Sequence, residues 1–284
     1  MSVKIIQERL DSYKCVSIQA EEHALREITQ EVALAALSRT DFFKAAVFQG
    51  GTCLRVFYSL NRFSEDLDFI LKKPDARFDF DGYLKEMAGE FNAYGFELEV
   101  TDRSGAGNAV KKAFLKDDSI GKLLQLSHMK ADRSTRKIKI KIEVDTNPPA
   151  GSHSENKFLD FPFAFSVTVQ DQPSLFAGKI HALLCREYVK GRDWYDFIWY
   201  MSRGTPVNFE FLTATLKQTG PWQGQEFLAD KDWCVERLKQ KINSIDWDKA
   251  REDVRPFIDP REFPSLEVWG KEFFTDRLEH YARK

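Results

Sequence analysis

The sequence predicts an α+β fold in which a mixed β-sheet flanked by helices is followed by an all-helical domain. Two observations predict this fold. In the first half, apolar and polar residues alternate in short runs, most clearly in KIKIKIEVD from Lys137 to Asp145, where Ile or Val occupies every second position. From Pro173 onward, apolar residues recur instead at helical spacing. We therefore expect two domains, over residues 1–170 and 171–284.

The individual elements follow from apolar periodicity and from the turn residues that interrupt it. The early helices carry Leu, Ile and Val along one side, and the short strands end at turn residues such as Gly50-Gly51 and Pro74. In the first domain, the sequence predicts helices over 3–13, 17–38, 52–60 and 82–94, strands over 45–49, 66–71, 96–101, 110–115 and 137–145, and a glycine-containing turn over 102–109. In the second domain, it predicts helices over 174–188, 193–201, 209–218, 231–242 and 266–282.

The composition excludes several classes of protein. With 43% hydrophobic residues, including 24 Phe and 6 Trp, the 284-residue chain has enough apolar material for a core, which excludes intrinsic disorder as a class. The 42 basic and 44 acidic residues give a net charge of -2, which excludes a globally basic nucleic-acid coat protein.

The expected location follows from three absences in the sequence. No stretch approaches the roughly 18 apolar residues of a membrane span. The N-terminal residues are charged throughout and lack the apolar core of a signal peptide. The four cysteines are far apart and form no CxxC pair, which predicts neither a disulfide framework nor a zinc site. We expect a soluble, cytoplasmic protein with no membrane partner.

A candidate phosphate-binding turn lies at Phe48-Gln49-Gly50-Gly51-Thr52, where a strand leads through two glycines into a helix. Backbone N–H groups and the helix dipole at such a start favour an anion, and the glycines allow its close approach. Thr52 adds a hydroxyl group at the same place. A plain tight turn has the same residues, so this segment alone leaves both alternatives open.

Acidic residues on two predicted strands suggest a metal site. Asp66 and Asp68 lie two positions apart, so both carboxylates project from one face. Like charges this close repel each other unless a cation lies between them, and Mg²⁺ or Mn²⁺ held by two carboxylates and substrate phosphates meets that need. A solvent-exposed acidic strand has the same spacing. Glu143 or Asp145 offers a third carboxylate, and three acids beside a phosphate-binding turn are typical of metal-dependent phosphoryl transfer.

The string GGTCLRVFYSLNRFSEDLDFIL resembles the nucleotidyltransferase superfamily of the DNA polymerase β type and, within it, the AbiEii/AbiGii toxin family. The superfamily signature is a Gly-Gly or Gly-Ser turn, then two acids one residue apart, then a third acid on a later strand. The residues that match the glycine and paired-acid positions are Gly50, Gly51, Asp66 and Asp68. The resemblance implies that the metal is bound by Asp66, Asp68 and Glu143, with Asp145 as the alternative third acid. It implies nucleotide contacts from Gly50, Gly51, Thr52, Arg62 and Ser64.

A second match lies in the predicted helical domain. FAGKIHALLCR (176–186) and KGRDWYD (190–196) are similar to the family motifs Lys-x-x-Ala-Leu-x-x-Arg and Arg-Asp-x-Tyr-Asp. The resemblance implies that Lys179 contacts the triphosphate, with Arg186 two turns along the same helix, and that Asp193 helps to build the active site. A solvated helix face for Lys179 and a helix N-cap for Asp193 are the structural alternatives.

Taken together, the resemblance implies an enzyme that moves a nucleoside monophosphate from a nucleoside triphosphate to an acceptor, with Mg²⁺ or Mn²⁺ as cofactor. The helical domain is expected to complete the active-site cleft. The implied setting is a bacterial toxin–antitoxin or abortive-infection system, with a cognate antitoxin protein as partner and the 3′ end of tRNA, or another RNA, among the acceptors. A small-molecule nucleotidyltransferase of the antibiotic-modifying type and a non-catalytic nucleotide-binding module are the two alternatives.

Overall fold

The structure, a computed structural model, describes residues 2–97, 99–102, 109–117, 124–128 and 138–283. One residue of the predicted strand 96–101, most of the predicted turn 102–109 and the first residue of the predicted strand 137–145 lie outside the described residues. The chain divides into two compact units. The first contains Met1–Cys53, Phe63–Pro148 and Glu155–Val169, and the second contains Leu54–Arg62, Pro149–Ser154 and Gln170–Lys284.

The first unit is built around a seven-stranded mixed sheet. Strands β1 to β7 span Ala46–Gln49, Leu67–Leu71, Glu99–Asp102, Val110–Asp117, Ile138–Asp145, Ser154–Leu159 and Phe165–Gln170. Their order across the sheet is β3-β4-β5-β2-β1-β7-β6. Strand β2 runs parallel to β5 and antiparallel to β1. The two strands that carry the predicted metal ligands are therefore direct neighbours.

Helices of the first unit contact three strands of this sheet. Helices α1 to α5 span Ser2–Ser12, Ile18–Ser38, Phe42–Ala45, Gly50–Tyr58 and Phe80–Ala93. Helix α2 begins after Ser17, whose hydroxyl accepts a hydrogen bond from the N–H of Ala20, and it contacts α5 and β5. The alternation predicted for β5 is confirmed, because its buried residues are Ile138, Ile140, Ile142 and Val144. The charged residues of β5 therefore share the opposite face of the sheet.

The second unit is helical. Helices α6 to α12 span Gln172–Cys185, Gly191–Arg203, Phe209–Gln218, Lys231–Ser244, Trp247–Val254, Phe263–Leu266 and Lys271–Ala282. Four of them begin at a side chain that accepts a hydrogen bond from a backbone N–H of the first turn, namely Asp171, Asn208, Asp230 and Asp246. The core includes Trp194 of α7, which packs edge-on against Trp247, and Trp247 stacks on Phe274 with ring centroids 4.1 Å apart.

The α+β fold agrees with the prediction, while several elements differ from it. Strands β6 and β7 and the helices α3, α10 and α11 were not predicted. The predicted helix 266–282 begins later in the structure, because α12 spans Lys271–Ala282. Within the described ranges, no helix combines the length and the apolar character that a membrane crossing requires.

Gly191, the first residue of α7, packs against the backbone of α10. A Cβ atom at this position would lie 1.8 Å from the carbonyl oxygen of Ala250. Because the backbone must shift to relieve that overlap, we expect Gly191→Ala to lower the free energy of unfolding by about 1–3 kcal/mol.

Gly178 of α6 provides the control for this substitution. A Cβ atom there meets no described atom within 4 Å apart from its own helix backbone and its neighbours. Gly178→Ala should raise the free energy of unfolding by about 0.5–1 kcal/mol, because alanine restricts the unfolded chain. Urea unfolding followed by circular dichroism measures both variants, and equal midpoints would contradict the close packing of α7 on α10.

Candidate active site

Four polar side chains form a row across the sheet of the first unit. In the strand register, Gln49 of β1 pairs with Asp68 of β2, Asp68 pairs with Glu143 of β5, and Glu143 pairs with Lys112 of β4. Residues that pair on adjacent strands project from the same face of a sheet. The carboxyl groups of Asp68 and Glu143 are therefore neighbours on the face opposite α2.

Asp66 lies just before β2 and is connected to the start of α4 through its backbone. The hydroxyl of Thr52 donates a hydrogen bond to the carbonyl oxygen of Asp66. Thr52 is 1% exposed, so this predicted phosphate contact is buried and holds the segment that carries the acid. The carbonyl of Ser64 accepts a hydrogen bond from Gln30 in a similar way. Extending the β2–β5 register by one position places Asp66 opposite Lys141.

At Gly50 the turn lies close to the carboxylate of Asp68. Its φ of +80° lies in the left-handed region, which favours glycine. A Cβ atom here would lie 2.6 Å from Oδ2 of Asp68. Both the backbone conformation and the approach to Asp68 therefore require glycine, which explains the first glycine of the motif in physical terms.

Gly50→Ala is expected to lower activity by about 10²-fold, because an added methyl group displaces the Asp68 carboxylate by about 1 Å. The strained φ should also cost about 1–2 kcal/mol of stability. Gly204→Ala is the matched control, since Gly204 has φ +63° and a Cβ atom there meets no described atom within 4 Å. The nucleotidyl transfer that the resemblance implies and the thermal melting should be measured for both variants. A Gly50→Ala protein that is as active as the control would contradict the close approach.

Glu143 is held between two lysines on the same sheet face. Its Oε2 lies 2.5 Å from Nζ of Lys141, and its Oε1 lies 3.0 Å from Nζ of Lys112. Burial alone would raise the pKa of Glu143, but hydrogen bonds from the two lysines outweigh it and lower that pKa. Glu143 is therefore held as a carboxylate.

Asp145, the alternative third acid, has different surroundings. It pairs with Ile70 rather than with an acid, and it accepts a hydrogen bond from the N–H of Asn147 in the turn after β5. Burial raises the pKa of Asp145, so its ionised form is less favoured. Both observations favour Glu143 over Asp145 as the third acid.

The acids of the first unit offer the chemistry that Mg²⁺ or Mn²⁺ requires, because carboxylate oxygens are the hard ligands that these ions prefer. Within the described parts of the chain, no three or more His, Cys, Asp or Glu side chains are grouped so as to hold a metal ion. Glu143 is engaged with lysines instead. The fit to a metal therefore rests on Asp66 and Asp68, with Glu143 beside them.

A buried network of alternating charges lies in the second unit. Arg62 donates two hydrogen bonds of 2.6 Å to Asp196, one to each carboxylate oxygen. Nζ of Lys179 lies 2.8 Å from Oδ2 of Asp196 and 2.7 Å from Oδ1 of Asp193. Nε of Arg186 lies 3.4 Å from the other oxygen of Asp193. The motifs around Lys179 and Asp193 are thus joined by direct ion pairs, and Arg62 is part of the same network.

The positions of these residues differ in detail from the prediction. Helix α6 ends at Cys185, so Arg186 is the residue that follows it rather than part of it. Helix α7 begins at Gly191, and Asp193 lies in its first turn instead of at the N-cap. Arg62 is 3% exposed, and its guanidinium is bound to Asp196.

The network perturbs the acid at its centre. Burial alone would raise the pKa of Asp193, but the charges of Lys179, Arg186 and Lys190 outweigh it and lower that pKa to about 2. Burial alone would lower the pKa of Lys179, but the charges of Asp193 and Asp196 raise it. The ion pairs therefore persist across the neutral pH range.

The lowered pKa of Asp193 predicts a defined dependence of stability on pH. A carboxyl group whose pKa is lower in the folded state stabilises the fold above its unfolded pKa of 3.8, and this contribution is lost as pH falls toward about 2. Asp193→Asn should therefore be less stable than the native protein at pH 5, and the difference should shrink as pH falls from 4 to 2. Urea midpoints at several pH values measure it, and a pH-independent difference would contradict the assignment.

Three residues of these groups were not among the predicted site residues. Asp196 is the last residue of the Arg-Asp-x-Tyr-Asp motif, and its position three residues after Asp193 on a helix indicates that both can meet one cation. Lys141 alternates with Glu143 along β5, a signal for a shared face. Lys112 carried no such signal, because its pairing with Glu143 depends on the strand register.

Comparisons with solved structures identify the fold as that of nucleotidyltransferases. The nucleotidyltransferase toxin MenT4 from Mycobacterium tuberculosis is 19% identical to this chain, covers 99% of each chain and gives a TM-score of 0.53. JHP933 from Helicobacter pylori is 17% identical, with 93% of this chain and 91% of that chain covered and a TM-score of 0.51. A search of curated proteins finds no match.

The family itself is shown by sequence. The profile described as "Nucleotidyl transferase AbiEii toxin, Type IV TA system" matches residues 32–272. The chain belongs to this family, as its two motifs predicted. It is accordingly a nucleotidyltransferase toxin of a type IV toxin–antitoxin system, a class that implies a nucleoside triphosphate as substrate and an antitoxin as partner.

Proposed function

We propose that this protein transfers a nucleoside monophosphate from a nucleoside triphosphate to an RNA acceptor in a Mg²⁺-dependent reaction. The observation that carries the proposal is the pairing of Asp68 with Glu143 on adjacent strands, with Asp66 two residues away and the glycine turn against Asp68. A phosphate-binding turn beside a row of carboxylates is the arrangement that phosphoryl transfer requires.

In this proposal the acids of the first unit have separate tasks. Asp66 and Asp68 hold the divalent ion, which neutralises charge on the phosphates when it is bound. Glu143 is the third acid and acts as the base that takes the proton from the acceptor hydroxyl, for which its ionised state suits it. The hydroxyl oxygen then forms a bond to the α-phosphorus, and pyrophosphate leaves.

For the second unit, we propose that Lys179 and Arg186 contact phosphate oxygens of the nucleotide and that Asp193 orients both cations. An ammonium group has three N–H donors, and the ion pairs with Asp193 and Asp196 engage two of them. The third N–H group can donate a hydrogen bond to a phosphate oxygen. The buried pair with Asp196 gives Arg62 a positioning role for Lys179 in place of a direct nucleotide contact.

The acceptor and the setting follow from the family. We propose the 3′ end of tRNA as the acceptor and abortive infection as the setting, in which the antitoxin restrains this activity. Incubation with each of four α-³²P nucleoside triphosphates, Mg²⁺ and total bacterial RNA, followed on a denaturing gel, identifies both nucleotide and acceptor. A labelled band of tRNA size is expected. Label in a protein or in a small molecule would show that this molecule, and not RNA, is the acceptor. No label in any fraction would contradict nucleotidyl transfer.

A further inference from the structure

Lys141 lies inside the group of carboxylates rather than at its edge. It projects from the same face of β5 as Glu143, and its Nζ is 2.5 Å from Oε2 of that residue. The extended register places it opposite Asp66. The negative charges of Asp66 and Asp68 also act on Lys141. One ammonium group thus pairs with Glu143, the proposed base, and lies in the field of Asp66 and Asp68, the two proposed metal ligands.

The charges of this group explain why a lysine is held there. Three carboxylates within neighbouring register positions repel one another, and a positive charge among them lowers that repulsion. A divalent cation bound to the same carboxylates would serve the same purpose. Lys141 and a bound metal ion therefore compete for the same negative charge, and Glu143 is the carboxylate for which they compete directly.

We propose that Lys141 is a built-in counter-ion that sets the metal affinity of the site by releasing Glu143 when a divalent cation binds. This inference rests on the proposed function, since it takes Asp66 and Asp68 as the metal ligands. Removing the ammonium charge leaves Glu143 free of its shorter ion pair and removes repulsion toward the metal. The site should consequently bind a divalent cation more tightly.

The matched control is Lys139, which precedes Lys141 by two positions on the same strand face. Its Nζ lies 4.3 Å from the ring centroid of Phe114. In the register, Lys139 pairs with Lys116 of β4, two positions farther from Glu143 than Lys141 is. Lys139→Met therefore removes the same charge and keeps a similar side-chain length without touching the ion pairs of Glu143.

Mn²⁺ binding to the purified full-length protein, without nucleotide, tests the proposal through the electron paramagnetic resonance signal of free Mn²⁺. We expect Lys141→Met to bind Mn²⁺ about tenfold more tightly than the native protein, which is within the ~5–150-fold range of coupled binding equilibria. Lys139→Met should bind as the native protein does. Lys141→Gln carries the test if circular dichroism shows that Lys141→Met is unfolded.

The outcomes separate this inference from the proposed function. Unchanged or weaker Mn²⁺ binding by Lys141→Met would overturn the counter-ion role, and so would equal tightening by Lys139→Met, which would indicate a general charge effect. Asp68→Asn should lose Mn²⁺ binding. If Asp68→Asn binds Mn²⁺ as the native protein does, the metal site itself is wrong and the proposed function fails with it.

Discussion

Asp68→Asn is expected to lower the rate of nucleotidyl transfer by about 10³-fold or more, because Asp68 is a proposed metal ligand and loss of such a ligand removes several kcal/mol of transition-state stabilisation. Asparagine has nearly the same shape as aspartate but lacks the negative charge. The folded state should persist, since Asp68 is half-buried on the polar sheet face and not in the apolar core. Single-turnover kinetics with saturating nucleotide measure the effect on the chemical step.

The control for this experiment is Asp160→Asn, which makes the same chemical change at an exposed residue between β6 and β7. Its activity should equal that of the native protein. The melting temperatures of both variants should lie close to the native value. If Asp68→Asn retains native activity, the metal-dependent mechanism is excluded. If it loses activity only because it unfolds, its circular dichroism spectrum will show this.

Arg62→Met is expected to have the largest effect on stability, about 3–5 kcal/mol of unfolding free energy, because it removes the bidentate partner of a buried carboxylate. The side chains of Arg62 and Asp196 are 4% and 0% exposed, and the two groups share two hydrogen bonds of 2.6 Å. In the variant, Asp196 keeps the ion pair with Lys179. Urea unfolding at pH 7 provides the measurement.

An exposed pair of the same kind provides the comparison. Arg261 donates two hydrogen bonds to Asp259, with the Arg261 side chain 89% exposed. Arg261→Met should leave the stability nearly unchanged, because an exposed ion pair gains little over its interactions with water. The double variant Arg62→Met/Asp196→Leu should recover part of the loss of Arg62→Met, since it removes the buried carboxylate that has lost its bidentate partner, while Lys179 keeps its ion pair with Asp193. Equal stability of Arg62→Met and Arg261→Met would contradict the buried network.

The parts of the fold that were predictable carry strong periodicity. Strand β5 alternates Ile or Val with charged residues over eight positions, so both its existence and its buried face could be predicted. Helix α8 was predicted with the bounds that the structure shows. Its apolar residues recur along one face, and turn residues lie before and after it. Strand β6, with the sequence SENKFL, is mostly exposed and lacks alternation. Strand β7, with the sequence FSVTVQ, does alternate apolar and polar residues, so the sequence held a signal for it that the prediction did not use.

The candidate site was likewise predictable only in part. Asp66, Asp68 and Glu143 could be proposed from sequence because each lies on or beside a recognisable strand. Their surroundings could not, since the pairing of Lys112 with Glu143 depends on which strands are neighbours. The contact of Arg62 with Asp196 joins residues far apart in the chain, and no local pattern encodes it. Sequence therefore indicated the chemical groups, while the ion pairs that control them required the structure.

The transfer of label from the α- and γ-phosphates of one nucleoside triphosphate tests the central claim most directly. The native protein should transfer α-³²P to the acceptor and release γ-³²P in pyrophosphate, and both events should cease in EDTA and in Asp68→Asn. Transfer of γ-³²P to the acceptor would instead establish a kinase-type reaction. Undiminished α-³²P transfer by Asp68→Asn would contradict catalysis at the paired carboxylates.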